Sequence, residues 1–248
     1  MDERGISNKK MIETFGKNAV WKYGVLLEGD RVLSSEGLLY YTNMSKKMTV
    51  PLCTRAGCEH NTENCTACYL SNNDFIYPYQ GKMYLGCKAD KHLEFYRTNL
   101  DGSEREKIAT YSFDDIISET QYLQVDSKVY IAVAIEPASR MEITDDGNCY
   151  DVPVYWELLC FDLDTTEYKK IGKLEGEYYG YSIYLRYLES NRIYYEFEGR
   201  TLPWEDMYHP ETGKLLKPEL QENEINGVAS INLDTGQIQL EDRYETGD

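Results

Sequence analysis

The residues with the clearest chemical potential are four cysteines and one histidine that lie close together in the sequence. They have the spacing Cys-x4-Cys-x-His-x4-Cys-x2-Cys and are Cys53, Cys58, His60, Cys65 and Cys68. Three thiolates and one imidazole make a closed tetrahedral shell for zinc. We therefore predict a structural Zn²⁺ site with these ligands: Cys53, Cys58, His60 and Cys65. Cys68 is a spare ligand that could replace His60 or Cys65.

Two other arrangements of these cysteines stay open. Disulfides, for instance Cys53 with Cys65 or Cys58 with Cys68, would suit an exported protein. Free thiols without a metal are the third arrangement. A catalytic zinc would need an open coordination position and a nearby base such as Glu59, so a closed structural site is favoured.

A second group of candidate residues lies in a long insert at 199–225. The predicted ligand-binding residues there are Trp204, Asp206, Tyr208 and His209. Trp204 could stack on a ligand, while Asp206 and His209 could hydrogen-bond to it. The alternative is that Trp204 anchors the insert to the sheet beneath it. The sequence has no Gly-x-Ser-x-Gly motif and no glycine-rich phosphate loop, so no catalytic residue is assigned.

The charge balance excludes two classes of partner. The chain has 43 acidic and 26 basic residues, and its formal net charge is −17 at pH 7. Nucleic-acid phosphates and anionic membrane surfaces both require clustered Lys and Arg. The longest apolar runs are only a few residues, which is too short for insertion into a membrane. The partner that this charge favours is a basic protein or peptide.

Two recurring patterns predict the architecture. In the first, a polar turn precedes a basic residue, an apolar residue and Tyr; it occurs at 80–84, 126–130 and 190–194. In the second, an apolar strand ends in Asp-Gly or Asp-Thr and a charged strand follows; it occurs at 95–102, 159–165 and 229–236. Both patterns are typical of tight turns between antiparallel strands. A further copy of the second pattern, without its Asp, occupies 39–43 and 49–52.

Together the two patterns make a four-stranded antiparallel unit that recurs about every 45 to 65 residues. Such units are typical of β-propeller blades, which stack because one sheet alone cannot bury both of its faces. We therefore predict an all-β, β-propeller-like fold of about four blades, in a closed ring or an incomplete, open one. A large antiparallel sandwich is the alternative. One domain covers 19–248, and residues 1–18 form a polar N-terminal segment.

The densest run of the 23 tyrosines, at 177–187, predicts a single strand. Strict alternation places Ile183, Leu185 and Tyr187 on one face and Tyr184 on the other. Apolar character on both faces predicts a strand packed between two blades. The functional alternative is an aromatic strip that binds a sugar.

The cysteine segment resembles a signature of a known group of proteins. In that signature a strand ends in Pro-Leu-Cys, and the following loop carries a second Cys, a His and a third Cys before Ala. The matching residues here are Leu52, Cys53, Cys58, His60, Cys65 and Ala67. With its Gly-Lys-apolar-Tyr and Leu-Asp-Gly repeats, the chain resembles a poorly characterised family of TolB-like, propeller-like proteins from Clostridia and related gut Firmicutes. The resemblance implies a propeller fold and no particular activity.

These observations predict a non-enzymatic binding or scaffold module that recognises a protein or peptide. One alternative is a hydrolase or lyase that acts on glycans or peptides at the propeller axis, and another is a metal- or redox-responsive protein. Exposed edge strands of an incomplete ring would favour a homodimer. Residues 1–16 lack the apolar stretch of a signal peptide, which predicts a cytoplasmic protein. Export followed by removal of the signal is the alternative.

Overall fold

The structure is a computed structural model, and every regular element that it describes is a β-strand. The described residues are 20–21, 24–27, 30–35, 38–53, 55–62, 65–68, 73–136, 141–143, 149–151, 154–174, 179–200 and 224–244. They contain 19 strands. None of the described elements is a helix of the length and apolarity that a membrane crossing requires. The prediction of an all-β fold is confirmed.

The chain divides into two compact units, Met1–Ser112 and Phe113–Asp248, here named unit 1 and unit 2. Each unit contains two antiparallel sheets of four or five described strands, and strands that follow one another in each of these sheets are hydrogen-bonded neighbours. This up-and-down order is that of propeller blades. The predicted propeller-like fold of about four blades is therefore confirmed. The single domain over 19–248 stays a prediction.

Unit 1 contains a five-stranded sheet and a four-stranded sheet. The first sheet consists of β1 (Val20–Trp21), β2 (Gly24–Leu27), β3 (Asp30–Ser35), β4 (Leu38–Asn43) and β5 (Met48–Pro51). The second sheet consists of β6 (Asn73–Tyr79), β7 (Lys82–Ala89), β8 (His92–Asn99) and β9 (Glu106–Ser112). The segment between β5 and β6 carries the cysteine cluster.

Unit 2 contains two four-stranded sheets and one hairpin. The third sheet consists of β10 (Ile116–Val125), β11 (Lys128–Glu136), β14 (Tyr155–Asp162) and β15 (Glu167–Lys173). The hairpin consists of β12 (Met141–Ile143) and β13 (Cys149–Asp151). The fourth sheet consists of β16 (Tyr179–Glu189), β17 (Arg192–Arg200), β18 (Glu224–Asn232) and β19 (Ile238–Tyr244).

The first sequence pattern forms the turns that precede β7, β11 and β17. Backbone φ is positive at Gln80 (48°) and Gly81 (73°), and again at Ser190 (49°) and Asn191 (62°). Positive φ at both central residues is typical of two-residue turns whose twist matches that of the flanking strands. The polar residues of the pattern are therefore present because they tolerate this backbone conformation.

In the first, third and fourth sheets the second pattern depends on an Asn or Asp at the end of the strand. In the second sheet the Asp within the turn, Asp101, accepts a hydrogen bond from the N–H of Ser103 (2.9 Å). The Asn43 side chain accepts a hydrogen bond from the backbone N–H of Lys46 (2.8 Å). In the same way, Asn232 accepts from the N–H groups of Asp234 and Thr235, both at 3.0 Å. These are Asx turns, in which the side chain replaces a backbone acceptor. The first sheet therefore has the same kind of turn, although its sequence lacks the Asp of the pattern.

The core of unit 2 lies between its two sheets. Trp156 from the third sheet and Ile183, Tyr195 and Phe197 from the fourth belong to one buried cluster, and each is at most 1% exposed. Alternation along β17 places Ile193, Tyr195 and Phe197 on the buried face. The other face of β17 is polar.

The strand predicted at 177–187 forms β16, but its packing differs from the prediction. The register of β16 against β17 shifts between Leu185 and Tyr187. This bulge turns Tyr187 away from the core face, because one extra residue reverses the alternation. Tyr184 is 38% exposed and Tyr187 is 49% exposed. The prediction that both faces of this strand are packed between blades was therefore wrong.

Candidate metal centre

The cysteine loop begins at the end of β5 and returns to β4. The backbone N–H of Leu52 donates to the carbonyl of Leu39 (2.8 Å), and the N–H of Leu39 donates to the carbonyl of Ala67 (2.8 Å). Leu39 and Ala67 are fully buried and Leu52 is 8% exposed. One residue of β4 thus holds both the entry and the exit of the loop.

The turn between β8 and β9 fixes the exit of the loop a second time. The Arg105 guanidinium donates hydrogen bonds to the backbone carbonyls of Thr66 and Cys68. The Thr66 hydroxyl donates to the carbonyl of Leu52 (3.1 Å). Gly102 has φ of 81°, and a Cβ there would lie 3.3 Å from the carbonyl oxygens of Leu52 and Thr66. This close approach, together with the left-handed backbone, explains the glycine.

The structure brings the four predicted ligands together. Donor atoms of the four residues all lie within 4.8 Å of one another, and the residues are Cys53, Cys58, His60 and Cys65. Sulfur ligands at about 2.3 Å from a tetrahedral zinc lie about 3.8 Å apart. A single ion could therefore contact all four side chains with small adjustments. The cluster can hold a metal ion.

Left-handed backbone closes the loop around this cluster. Gly57 has φ of 70° and His60 has φ of 55°. For a residue with a Cβ this conformation costs about 1–2 kcal/mol, so other interactions must hold His60 in place. The His60 imidazole Nδ1 lies 3.2 Å from the Cys65 sulfur. Cys65 is the most deeply buried of the four residues, at 2% exposure.

The pKa values of two thiols in the cluster shift in opposite directions. Burial acts to raise the pKa of the Cys53 thiol, but hydrogen bonds from the Arg55 backbone and from the Cys65 and Thr66 side chains lower it to about 6. Burial raises the pKa of the Cys65 thiol, and the Cys53 and Cys58 sulfurs also raise it. A metal ion bound at this cluster would favour the thiolate form of Cys65.

The other sequence predictions for this region have different outcomes. Cys68 stands outside the ligand cluster, and its carbonyl rather than its thiol is used, by Arg105. The cysteines whose side chains are described are all free thiols, so no disulfide joins Cys53 to Cys65 or Cys58 to Cys68. The second candidate group lies outside the described residues; it consists of Trp204, Asp206, Tyr208 and His209.

Arg105 is the residue of this site that the sequence did not identify. It lies 39 residues from Thr66 along the chain, and nothing in the spacing connects the two. It follows the Asp-Gly turn at 101–102, which marks a hairpin and gives no indication of a contact with the loop. Only the folded arrangement of unit 1 reveals this contact.

Comparisons with known proteins give no family for the chain. No protein-family model matches it. No curated protein matches it either. The resemblance to a Clostridial and Firmicutes family therefore stays a prediction.

Several solved structures are similar in outline. An oligogalacturonate lyase in complex with manganese is 9% identical with a TM-score of 0.43, and the match covers 94% of this chain and 45% of the lyase. A Synechocystis apocarotenoid oxygenase mutant is 10% identical with a TM-score of 0.44, covering 86% of this chain and 46% of the oxygenase. A chain of a nidogen/laminin complex is 12% identical with a TM-score of 0.40, and the match covers 87% of this chain and 58% of that chain.

The present chain thus spans only 45% to 58% of the length of these structures. All three TM-scores lie below 0.5. The assignment of a propeller-like fold therefore depends on the sheets themselves, which repeat one antiparallel topology along the chain.

Proposed function

We propose that this chain is a non-enzymatic binding or scaffold module in which a zinc ion closes the loop after β5. The observation that carries the proposal is the convergence of four ligand atoms within 4.8 Å of one another; the residues are Cys53, Cys58, His60 and Cys65. Three sulfurs and one imidazole nitrogen are the donors of closed structural zinc sites. Four protein ligands complete the tetrahedral shell, so no coordination position remains for a substrate.

The ion would join parts of the loop that the backbone alone connects weakly. Cys53 directly follows Leu52 at the loop entry, and Cys65 directly precedes the Thr66 carbonyl that Arg105 holds at the exit. An ion between these two cysteines therefore closes the loop on the β8–β9 turn. Its role is to stabilise unit 1 and to keep the surface of the loop in one conformation.

A protein or peptide is the proposed partner. The net charge of −17 favours a basic partner and disfavours nucleic acid. Rigid antiparallel sheets with short turns offer a fixed surface for such a partner, and fold alone assigns no reaction.

The decisive experiment measures zinc in the purified protein by plasma mass spectrometry. We expect one zinc per chain. Removal of zinc with a chelator should lower the Tm by about 10 °C, because the binding energy of a structural ion contributes to folding. Cys58→Ser should lower the zinc content in the same way.

Cys68→Ser is the matched control, because Cys68 lies in the same loop, is also half-buried and stands outside the cluster. This variant should retain full zinc. Loss of zinc from Cys68→Ser but not from Cys58→Ser would refute the ligand set. Absence of zinc with paired sulfurs in the wild-type protein would refute the metal site altogether.

The non-enzymatic part of the proposal has a separate test. A labelled basic peptide incubated with the zinc-loaded protein should bind and be recovered intact by mass spectrometry. Cleavage of the peptide, with turnover that depends on protein concentration, would contradict a pure binding function.

A further inference from the structure

The outer face of the fourth sheet is polar and exposed, opposite the face that forms the core of unit 2. We name it the polar face; its residues are Tyr184, Arg186, Tyr187, Glu196, Glu198 and Asn226. In the register of the sheet, Tyr184 lies opposite Glu196 and Glu198 lies opposite Asn226. Five of these residues, all except Tyr187, line an open groove of about 240 Å³ together with Phe197. The groove is therefore made by neighbouring strands of one sheet.

A guanidinium already occupies part of this face. The bulge in β16 leaves Arg186 out of register between Leu185 and Tyr187. Its guanidinium pairs with the Glu196 carboxylate, and its Cζ lies 5.7 Å from the centre of the Tyr184 ring. A carboxylate beside an aromatic ring is a favourable site for arginine, because the ring face attracts a cation. The contacts of Arg186 thus show that the polar face can bind a guanidinium group.

Glu198 extends the same chemistry along the groove. It is exposed and has no ion-pair partner among the residues whose side chains the structure describes. The Asn226 side chain, across the strand pair, offers an amide oxygen as a second acceptor. Two carboxylates against one guanidinium leave the groove with an excess of negative charge.

The composition of the face decides what kind of partner fits it. An apolar surface, such as another blade, would bury the Glu198 carboxylate without compensation, which is costly. An anionic partner would meet both the excess charge of the groove and the net charge of −17. A second copy of this chain would bring that same charge.

We propose that the polar face docks an extended, arginine-bearing segment of a partner protein. One partner guanidinium lies beside Tyr184 and donates hydrogen bonds to the carboxylate of Glu198 and to the amide oxygen of Asn226. Exposed Tyr187 provides further contact area, since tyrosine is enriched at protein interfaces. This inference rests on the proposed binding function and names the surface and the chemistry of the partner.

The test is fluorescence anisotropy on the full zinc-loaded chain, with a labelled peptide that alternates arginine and serine. Glu198→Gln should weaken binding about tenfold, because a charge-assisted hydrogen bond is lost. Glu167→Gln is the matched control, since Glu167 is also an exposed glutamate, on β15 of the third sheet. It should leave the affinity unchanged.

Two further variants separate the docking site from a general charge effect. Tyr184→Phe should retain affinity and Tyr184→Ala should weaken it, because the ring face rather than the hydroxyl is needed. Arg186→Ala should strengthen binding, because it frees Glu196 for the peptide. A peptide with lysine in place of arginine should bind more weakly, because it lacks the planar fork.

Each contrary outcome is distinct. Equal weakening by Glu198→Gln and Glu167→Gln would overturn the docking face but leave the binding function intact. No binding of the basic peptide by the wild-type chain would overturn both this inference and the proposed basic partner. A dimer in sedimentation velocity that Glu198→Gln dissociates would identify the occupant as a second copy and overturn the inference.

Discussion

The third and fourth sheets have the same strand topology, but they use their faces differently. In β11 of the third sheet, all seven residues from 129 to 135 are at most 4% exposed, so both faces of the strand are buried. In β17 of the fourth sheet, buried Tyr195 and Phe197 alternate with half-buried Glu196 and exposed Glu198. A strand with two apolar faces contributes to the core, whereas an alternating strand leaves one face for solvent or a partner.

The two sheets also differ in how deeply the carboxylates of their ion pairs are buried. Glu157 in the third sheet is 6% exposed, and the Lys170 ammonium reaches it from a side chain that is 48% exposed. Glu196 in the fourth sheet pairs with Arg186, and both side chains are more than a third exposed. The first pair compensates a buried carboxylate, and the second is a surface pair of small energetic value.

The largest expected difference between the two sheets is the loss of folding stability when a polar residue replaces a residue in the centre of a strand. Ile131 is fully buried, on the face of β11 that points away from the cluster shared with the fourth sheet. Ile131→Asn should reduce the free energy of unfolding by about 3–5 kcal/mol, because it removes apolar contact and buries an amide.

Glu196→Asn, on the polar face, is the control and should change the stability by less than about 0.5 kcal/mol. Urea denaturation followed by tyrosine fluorescence measures both. Similar midpoints for the two variants would show that the two strands do not differ in burial.

A smaller difference is expected when each ion pair loses its cation. Lys170→Met leaves the Glu157 carboxylate buried without its lysine and should cost about 1–3 kcal/mol. Arg186→Met leaves an exposed carboxylate and should cost less than about 0.5 kcal/mol. Thermal unfolding of both variants at neutral pH gives the comparison, and an equal loss of Tm would refute it.

The smallest effect concerns acid stability. A hydrogen bond from Lys128, at 2.7 Å, lowers the pKa of Asp162 below its ordinary value of 3.8, and turn N–H groups lower it further. A carboxyl with a lowered pKa stabilises the fold above that ordinary value, and this contribution is lost as the pH falls through the lower folded value. The fourth sheet has Asn232 at the same turn position, which does not titrate.

Asp162→Asn should therefore lower stability at neutral pH by less than about 1 kcal/mol and reduce the loss of stability between pH 4 and pH 2. Asn232→Asp should add a titrating group to the other turn. Denaturant titrations across this pH range measure both effects. An Asp162→Asn variant with the acid sensitivity of the wild-type protein would contradict the assignment.

Much of the fold could be predicted because its signals are local. The turns before β7, β11 and β17 require residues that tolerate positive φ, and the sequence shows them at each repeat. The cluster of candidate ligands was also predictable, because one short loop carries Cys53, Cys58, His60 and Cys65. The missing Asp of the first sheet was less important than expected, since Asn43 forms the turn.

The packing of β16 could not be predicted in the same way. Its alternation suggested one face for Ile183, Leu185 and Tyr187, but a bulge between Leu185 and Tyr187 reverses the pattern. A bulge depends on how the neighbouring strand pairs, which the sequence of one strand does not contain. The polar face therefore became visible only when β16 and β17 were paired.

The sequence by itself determined the strands, the turns and the four residues that could hold a metal ion, because each depends on residues close together in the chain. Only the tertiary structure decided which sheet face is exposed and which residue secures the cysteine loop. Arg105 reaches the Thr66 carbonyl across 39 residues of sequence. Such a contact depends on the packing of separate sheets, and neither periodicity nor spacing records it.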